Sequence, residues 1–133
     1  MRNKLNCIML IDDNEDDNFI HQIVIKRADA CHKIQVAESG MEALEYLKKG
    51  KNIPELIFLD INMPRMNGWE FLEEYKVLDK DHKAEVVVIM LSTSINPADK
   101  EKAYTIEEVK EFKSKPLSLE MLNEILDNYF ADK

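Results

Sequence analysis

The sequence has little cysteine and no long apolar run. Cys7 and Cys31 are its only cysteines, and their spacing is not that of a metal-binding motif, so both are expected to be reduced thiols. No apolar run approaches the ~20 residues of a membrane-spanning helix. The segment from Met1 to Lys4 leads into a short apolar run without the small-residue cleavage site of a signal peptide. These absences predict a cytoplasmic protein that does not span a membrane.

The sequence also has fewer basic than acidic residues, 18 against 26, which gives a net charge of −8. This balance argues against nucleic acid or an anionic membrane as a partner, because both require a basic surface. The length of 133 residues fits one domain with a real core. No repeat, linker or low-complexity segment interrupts the chain, so we expect residues 1–133 to form a single domain.

Short apolar runs recur along the chain with helix-forming segments between them. Residues 7–11, 56–60 and 86–91 are typical of strands buried on both faces, whereas 33–37 and 109–112 predict strands nearer the sheet edges. Strands that alternate with helices predict an α/β fold, a doubly wound parallel sheet with helices on both faces.

Capping residues mark where the helices begin. Asn14 or Asp13 can cap the first helix, while Ser39 and Asn67 are each followed three residues later by glutamate, as in a capping box. Asn96 precedes a proline at the predicted start of the fourth helix, whose apolar face is the weakest of the set. The last helix, from residue 119 onward, is strongly amphipathic.

Reactive side chains follow four of the five predicted strands. Asp12 and Asp13 come after the first strand, Asp60 ends the third, Ser92 ends the fourth, and the fifth leads to Lys115. The carboxyl ends of parallel strands meet at one edge of the sheet, where open α/β sheets bind their ligands. We therefore expect three carboxylates, a hydroxyl and an ammonium to meet there.

Three converging carboxylates repel one another, and this repulsion favours a bound cation. Mg²⁺ is suited to the position because it takes oxygen ligands, retains waters and leaves room for a phosphoryl oxygen. Beside such a metal, Asp60 is a credible nucleophile toward an activated phosphoryl group and would form an acyl phosphate. Mg²⁺ and Lys115 would neutralise charge during the transfer, and the Ser92 hydroxyl could donate to a phosphoryl oxygen.

The same residues make the chain resemble the receiver domains of bacterial two-component response regulators, of the single-domain, chemotaxis-Y-like kind. The matching positions are the acid pair Asp12-Asp13, the segment from Asp60 to Gly68, Ser92, and Lys115-Pro116. The resemblance covers essentially the whole chain. It implies a five-stranded sheet of flavodoxin-like order 2-1-3-4-5.

The resemblance also implies which residues accept the phosphate and bind the metal. Asp60 would be phosphorylated by a phosphohistidine on a sensor histidine kinase or by a phosphotransfer protein. Asp13, Asp60 and the backbone carbonyl of Asn62 would hold Mg²⁺, with Asp12 acting through a water.

Further roles in switching follow from the resemblance. Lys115 would contact the phosphoryl group, and the peptide bond between Lys115 and Pro116 would be cis. Ser92 would be the hydroxyl that moves toward the phosphate, and Phe112 the aromatic residue that turns inward on activation.

Each of these residues also has an ordinary structural explanation when taken alone. Acid pairs often cap helices, a lone lysine is usually solvated, and Phe112 is as compatible with the core as with a switch. His21, His32 and His82 share no ligand spacing and are expected on the surface. Trp69 is expected to serve in packing or in an exposed loop contact. The joint occurrence of the site residues is what favours chemistry.

The predicted site is compatible with three classes of function. The first is a phospho-switched binding module without enzymatic activity beyond its own phosphorylation and dephosphorylation, which signals to a downstream protein as a monomer or weak homodimer. The second is a Mg²⁺-dependent phosphatase of the haloacid-dehalogenase type. It is disfavoured because Asn62 replaces the general acid that those enzymes carry two residues after the nucleophile. The third, a scaffolding or dimerising unit, is disfavoured by the complete set of site residues.

Overall fold

A computed structural model describes residues 4–78, 87–93 and 96–130. The described residues form five strands and five helices in strict alternation. In chain order these are β1 (Leu5–Ile11), α1 (Glu15–Arg27), β2 (Cys31–Ala37), α2 (Gly40–Lys48), β3 (Leu56–Asp60), α3 (Gly68–Lys76), β4 (Val87–Ser92), α4 (Pro97–Tyr104), β5 (Val109–Ser114) and α5 (Leu119–Phe130). Within these ranges, no helix has both the length and the apolar composition needed to cross a bilayer.

All five strands pair in parallel, in the order β2-β1-β3-β4-β5. The predicted fold and strand order are therefore confirmed. Strands β1 and β2 begin two residues before the predicted runs, and β5 ends two residues after its predicted run. Backbone pairing continues at these ends past the residues that the apolar pattern marks. The predicted start of the fourth strand at Val86, and His82, lie outside the described residues.

Side chains that alternate along the central strands build two cores, one on each face of the sheet. On one face, Met9, Ile57 and Met90 pack with buried residues of α2, α3 and α4. On the other face, Ile8 and Phe58 pack with buried residues of α1 and α5. The sheet is thus doubly wound, and its three central strands are buried on both faces.

The predicted helix caps are present. Asn14, and not Asp13, caps α1 by accepting a hydrogen bond from the backbone N–H of Asp17. Ser39 and Asn67 cap α2 and α3, and the Asn67 cap is a complete capping box. The cap of α4 is Asn96, and Ala103 is the one buried residue of that helix, in agreement with its weak apolar pattern.

Gly68 allows the chain to turn tightly between β3 and α3. Its N–H donates to the carbonyl oxygen of Ile61 at 2.8 Å. A Cβ atom at Gly68 would lie 2.7 Å from the backbone oxygen of Asp60, a distance that side chains do not tolerate. The glycine therefore lets the start of α3 approach the backbone that carries the Asp60 side chain.

We predict that Gly68→Ala lowers the free energy of unfolding by roughly 1–3 kcal/mol, because the added Cβ overpacks against the Asp60 backbone, which cannot move aside. Gly40→Ala is a matched control, because Gly40 is also the first residue of a helix. Its added Cβ would meet the Sδ atom of the flexible Met66 side chain, which can shift. Urea unfolding should show a clearly smaller loss for Gly40→Ala, and equal losses would contradict this account.

Candidate functional site

The carboxyl ends of the central strands bring the predicted site residues together. Asp12 directly follows β1, Asp60 is the last residue of β3, and Ser92 is the last residue of β4. All three are buried, with 5%, 7% and 3% of their surface exposed. Asp13 is exposed, yet one oxygen from each of Asp12, Asp13 and Asp60 lies within 4.8 Å of the others. The three carboxylates predicted to converge therefore do so.

The ammonium of Lys115 lies among the carboxylates. Its Nζ is 2.6 Å from Asp12 Oδ2, 3.0 Å from Asp17 Oδ2 and 3.2 Å from Asp60 Oδ1, and its side chain is only 7% exposed. Its backbone N–H donates to the carbonyl oxygen of Ser92 at 2.8 Å, which ties the end of β5 to the end of β4. Lys115 is therefore held at the site through both its backbone and its side chain.

The electrostatics of the site favour additional positive charge. Burial, and then the neighbouring charge of Asp12, raises the pKa of Asp60 from 3.8 to about 6, although Lys115 partly offsets both effects. Burial alone would lower the pKa of Lys115, but its hydrogen bonds to Asp12 and Asp17 raise that pKa above its ordinary value. A single ammonium therefore does not fully compensate this group of carboxylates.

The carboxylate group fits a divalent cation of the Mg²⁺ type. Its donors are all carboxylate oxygens, the ligands that this hard cation prefers. Burial and the charge of Asp12 both raise the pKa of Asp60, and a cation held by Asp12, Asp13 and Asp60 would offset both effects.

Asp17 belongs to the site but was not predicted from the sequence. It lies in the first turn of α1, where an acidic residue is expected simply because it favours the positive end of the helix. The only sequence feature that pointed to a further role was its position four residues after Asp13.

His21 corrects the prediction that the histidines lie on the surface. It is 2% exposed, and its Nε2 accepts a hydrogen bond from the backbone N–H of Leu117 at 3.2 Å. Burial, and then the charge of Lys115, lowers the pKa of His21, so the neutral ring is favoured. The prediction was wrong because it rested on the absence of metal-ligand spacing among the histidines. A histidine can be buried for another reason, here a single hydrogen bond from the backbone of Leu117. His32 is exposed as expected.

The remaining residues singled out in the sequence occupy defined places. Asn62 is exposed two residues after Asp60, and Phe112 is 3% exposed in the core beside β4. The peptide bond between Lys115 and Pro116 is cis. Trp69 is partly buried, and the Lys102 ammonium lies 4.7 Å from the centre of its ring. Cys7 and Cys31 are free thiols.

Comparison with known proteins agrees with this geometry. Residues 8–127 match the family model of the response regulator receiver domain. A solved two-component response regulator from Cytophaga hutchinsonii is 32% identical with a TM-score of 0.87, and the match covers 96% of this chain and 98% of that one. Response regulator Rcp1 of Synechocystis sp. is 31% identical over 73% of this chain and 68% of its own length.

Some relatives are much longer than this chain. A probable cyclic di-GMP phosphodiesterase of Vibrio cholerae is 30% identical over 100% of this chain, which spans only 29% of that protein. The similarity therefore concerns only one segment of the larger protein.

The response regulator receiver domain family is a family of phosphoacceptor switches. The chain belongs to the response regulator receiver domain family. It functions in phosphorelay signal transduction. Receiver domains generally bind Mg²⁺ in an acidic pocket and interact with histidine kinases and downstream effectors.

We predict that Asp60→Asn stabilises the metal-free protein by up to about 3 kcal/mol above pH 6, because it removes a charge whose pKa is raised by about two units. The native state binds this proton more tightly than the unfolded state. The wild-type protein should therefore recover the difference as the pH falls from about 6 to below 3.8. Urea unfolding in the presence of EDTA, from pH 4 to pH 8, measures the effect.

The control for this prediction is Asp16→Asn, which removes one exposed charge of α1. Its free energy of unfolding should stay within about 0.5 kcal/mol of wild type. A loss of stability in Asp60→Asn above pH 6 would contradict the electrostatic account.

We predict that His21→Ala lowers the free energy of unfolding by roughly 1–3 kcal/mol, because the buried N–H of Leu117 loses its acceptor. The exposed His32 supplies the control, and His32→Ala should change stability by less than about 0.5 kcal/mol. Equal effects of the two substitutions in urea unfolding would show that the contact between His21 and Leu117 contributes nothing.

Proposed function

We propose that Asp60 is the residue that carries the phosphate in this receiver. The supporting observation is its surroundings at the end of β3, where its buried carboxylate lies 3.2 Å from the ammonium of Lys115 and within 4.8 Å of oxygens from Asp12 and Asp13. In the reaction, an Asp60 oxygen attacks phosphorus and forms the acyl phosphate. The P–N bond of a phosphohistidine breaks, and its electron pair returns to the imidazole nitrogen.

The metal of this site is proposed to be Mg²⁺. Asp13, Asp60 and the backbone carbonyl of Asn62 would hold it, with Asp12 contributing through a water. When bound, Mg²⁺ supplies positive charge that offsets the charge on the transferred phosphoryl group. The Asp12 carboxylate also contacts the ammonium of Lys115, at 2.6 Å, which holds it at the same edge of the sheet as Asp60.

Three further residues are proposed to respond to the phosphate. Lys115 donates to a phosphoryl oxygen, and the hydroxyl of Ser92 moves toward the phosphoryl group. Phe112 is already buried beside β4, which is compatible with the inward position of an aromatic switch. Because Phe112 has no hydroxyl, packing alone stabilises that position.

The chain is proposed to act as a switch, without enzymatic activity beyond its own phosphorylation and dephosphorylation. A phosphatase of the haloacid-dehalogenase type needs a general acid two residues after the nucleophile, and the amide of Asn62 cannot supply a proton there. The proposed partners are a sensor histidine kinase or phosphotransfer protein and a downstream protein. We further propose that residues 1–133 form one receiver domain, monomeric or weakly dimeric, in the cytoplasm.

We predict one phosphoryl adduct per chain after incubation with acetyl phosphate and Mg²⁺, and no adduct when EDTA replaces Mg²⁺. Asp60→Asn should abolish the adduct, because an amide is not a competent nucleophile. Intact-mass spectrometry detects the adduct, and its loss on brief exposure to base identifies an acyl phosphate.

Asp16→Asn is the control for charge, since Asp16 is exposed on α1, and it should retain the adduct. A base-labile adduct that persists in Asp60→Asn would contradict the assignment of the phosphoacceptor. Full phosphorylation in EDTA would contradict the proposed role of Mg²⁺.

A further inference from the structure

Lys115 is held by three carboxylates, and one of them comes from outside the cluster at the sheet edge. Asp12 and Asp60 belong to the strand ends, whereas Asp17 reaches the ammonium from the first turn of α1 at 3.0 Å. This contact is shorter than the 3.2 Å contact between Lys115 and Asp60. The ammonium therefore lies between the sheet edge and α1.

Helix α1 offers a fixed point for this contact. The backbone N–H of Asp17 donates to the side chain of the capping residue Asn14 at 3.0 Å, so Asp17 lies in a well-defined helical turn. One turn later, His21 accepts a hydrogen bond from Leu117, two residues beyond Lys115. Helix α1 thus holds the loop after β5 at two points, once through the side chain of Lys115 and once through the backbone.

An ammonium has three N–H donors, and three carboxylate oxygens lie within 3.2 Å of the Nζ atom of Lys115. A phosphoryl group on Asp60 would need one of these donors. The contact with Asp60 is the longest of the three, and Asp60 is the group that becomes modified, so this contact is the one to be exchanged. Asp12 and Asp17 would then keep the ammonium in place.

We propose that Asp17 is a positioning residue for phosphoryl transfer, which anchors the ammonium of Lys115 while that ammonium exchanges its contact with Asp60 for one with the phosphoryl group. This inference rests on the proposed function of Asp60 and Lys115. Without the anchor, the long lysine side chain gains rotamer freedom that it must lose again to reach the phosphoryl group.

The neighbouring residue provides a charge-matched control. Asp16 and Asp17 are consecutive acids in the first turn of α1, but Asp16 is exposed, whereas the side chain of Asp17 is 29% exposed and contacts Lys115. Asp16→Asn and Asp17→Asn therefore remove the same charge from nearly the same place. A difference between them measures the contact with Lys115 and not the net charge of the site.

The test is the rate of adduct formation at saturating acetyl phosphate and Mg²⁺. We expect Asp17→Asn to lower the saturating rate about tenfold through misplacement of the ammonium, with Asp16→Asn within about twofold of wild type. Asp17→Glu, which keeps the carboxylate, should recover part of the rate. In a Lys115→Met background, Asp17→Asn should have no further effect, because Asp17 acts through Lys115.

A second measurement on metal-free protein does not depend on phosphorylation. Limited acetylation with acetic anhydride, followed by peptide mass spectrometry, reports the reactivity of each lysine. Lys115 should be acetylated several-fold faster in Asp17→Asn than in wild type, and at the wild-type rate in Asp16→Asn.

The outcomes separate this inference from the proposed function. If the wild-type chain forms no adduct or Asp60→Asn still forms one, the proposed function fails. If the wild-type chain is phosphorylated but Asp17→Asn matches Asp16→Asn in the saturating rate, the positioning role of Asp17 is overturned. The positioning role is also overturned if Asp17→Asn slows the reaction as much in the Lys115→Met background as it does in the wild-type background.

Discussion

The contact between Lys115 and the carboxylates around it is the interaction on which the arrangement of the site depends. Asp12 and Asp60 are buried at adjacent strand ends, with Asp13 beside them, and their mutual repulsion opposes folding. The ammonium of Lys115 relieves part of that repulsion. The pKa of Asp60 is nevertheless raised, first by burial and then by the charge of Asp12, so the site still favours additional positive charge.

Apolar burial on both faces of the sheet offsets the destabilising effect of this repulsion. Strands β1, β3 and β4 are flanked by cores on both faces, so the backbone at their carboxyl ends is held rigidly. The close approach at Gly68 fixes the turn after Asp60, and the hydrogen bond from Lys115 to Ser92 fixes the end of β5. A rigid framework of this kind can keep like charges together and leave them available to a ligand.

Most of the fold and much of the site could be predicted from the sequence. The apolar runs of the central strands identified the sheet, and their polar ends placed Asp12, Asp60 and Ser92 at one edge, because strand ends in a parallel sheet are set by topology. Strand limits were less accurate at β2 and β5, where pairing extends into polar residues that carry no apolar signal.

The contributions of Asp17 and His21 could not be predicted in the same way. Their contacts reach Lys115 and Leu117 across about a hundred residues of sequence, and they depend on how α1 packs against the loop after β5. An acid in the first turn of a helix and a lone histidine each have common explanations that need no such contact. Only the three-dimensional arrangement shows that both residues hold the segment that carries Lys115.

Calorimetric titration with Mg²⁺ on either side of pH 6 is the most direct test of the central claim, which is that the uncompensated charge around Asp60 forms the cation site. We predict one Mg²⁺ per chain, bound more tightly above pH 6 and with proton release below it, because Asp60 must be ionised to bind. We also predict that Asp60→Asn binds Mg²⁺ much more weakly and without this pH dependence. An affinity that is independent of pH, and equal in Asp60→Asn and wild type, would contradict the central claim.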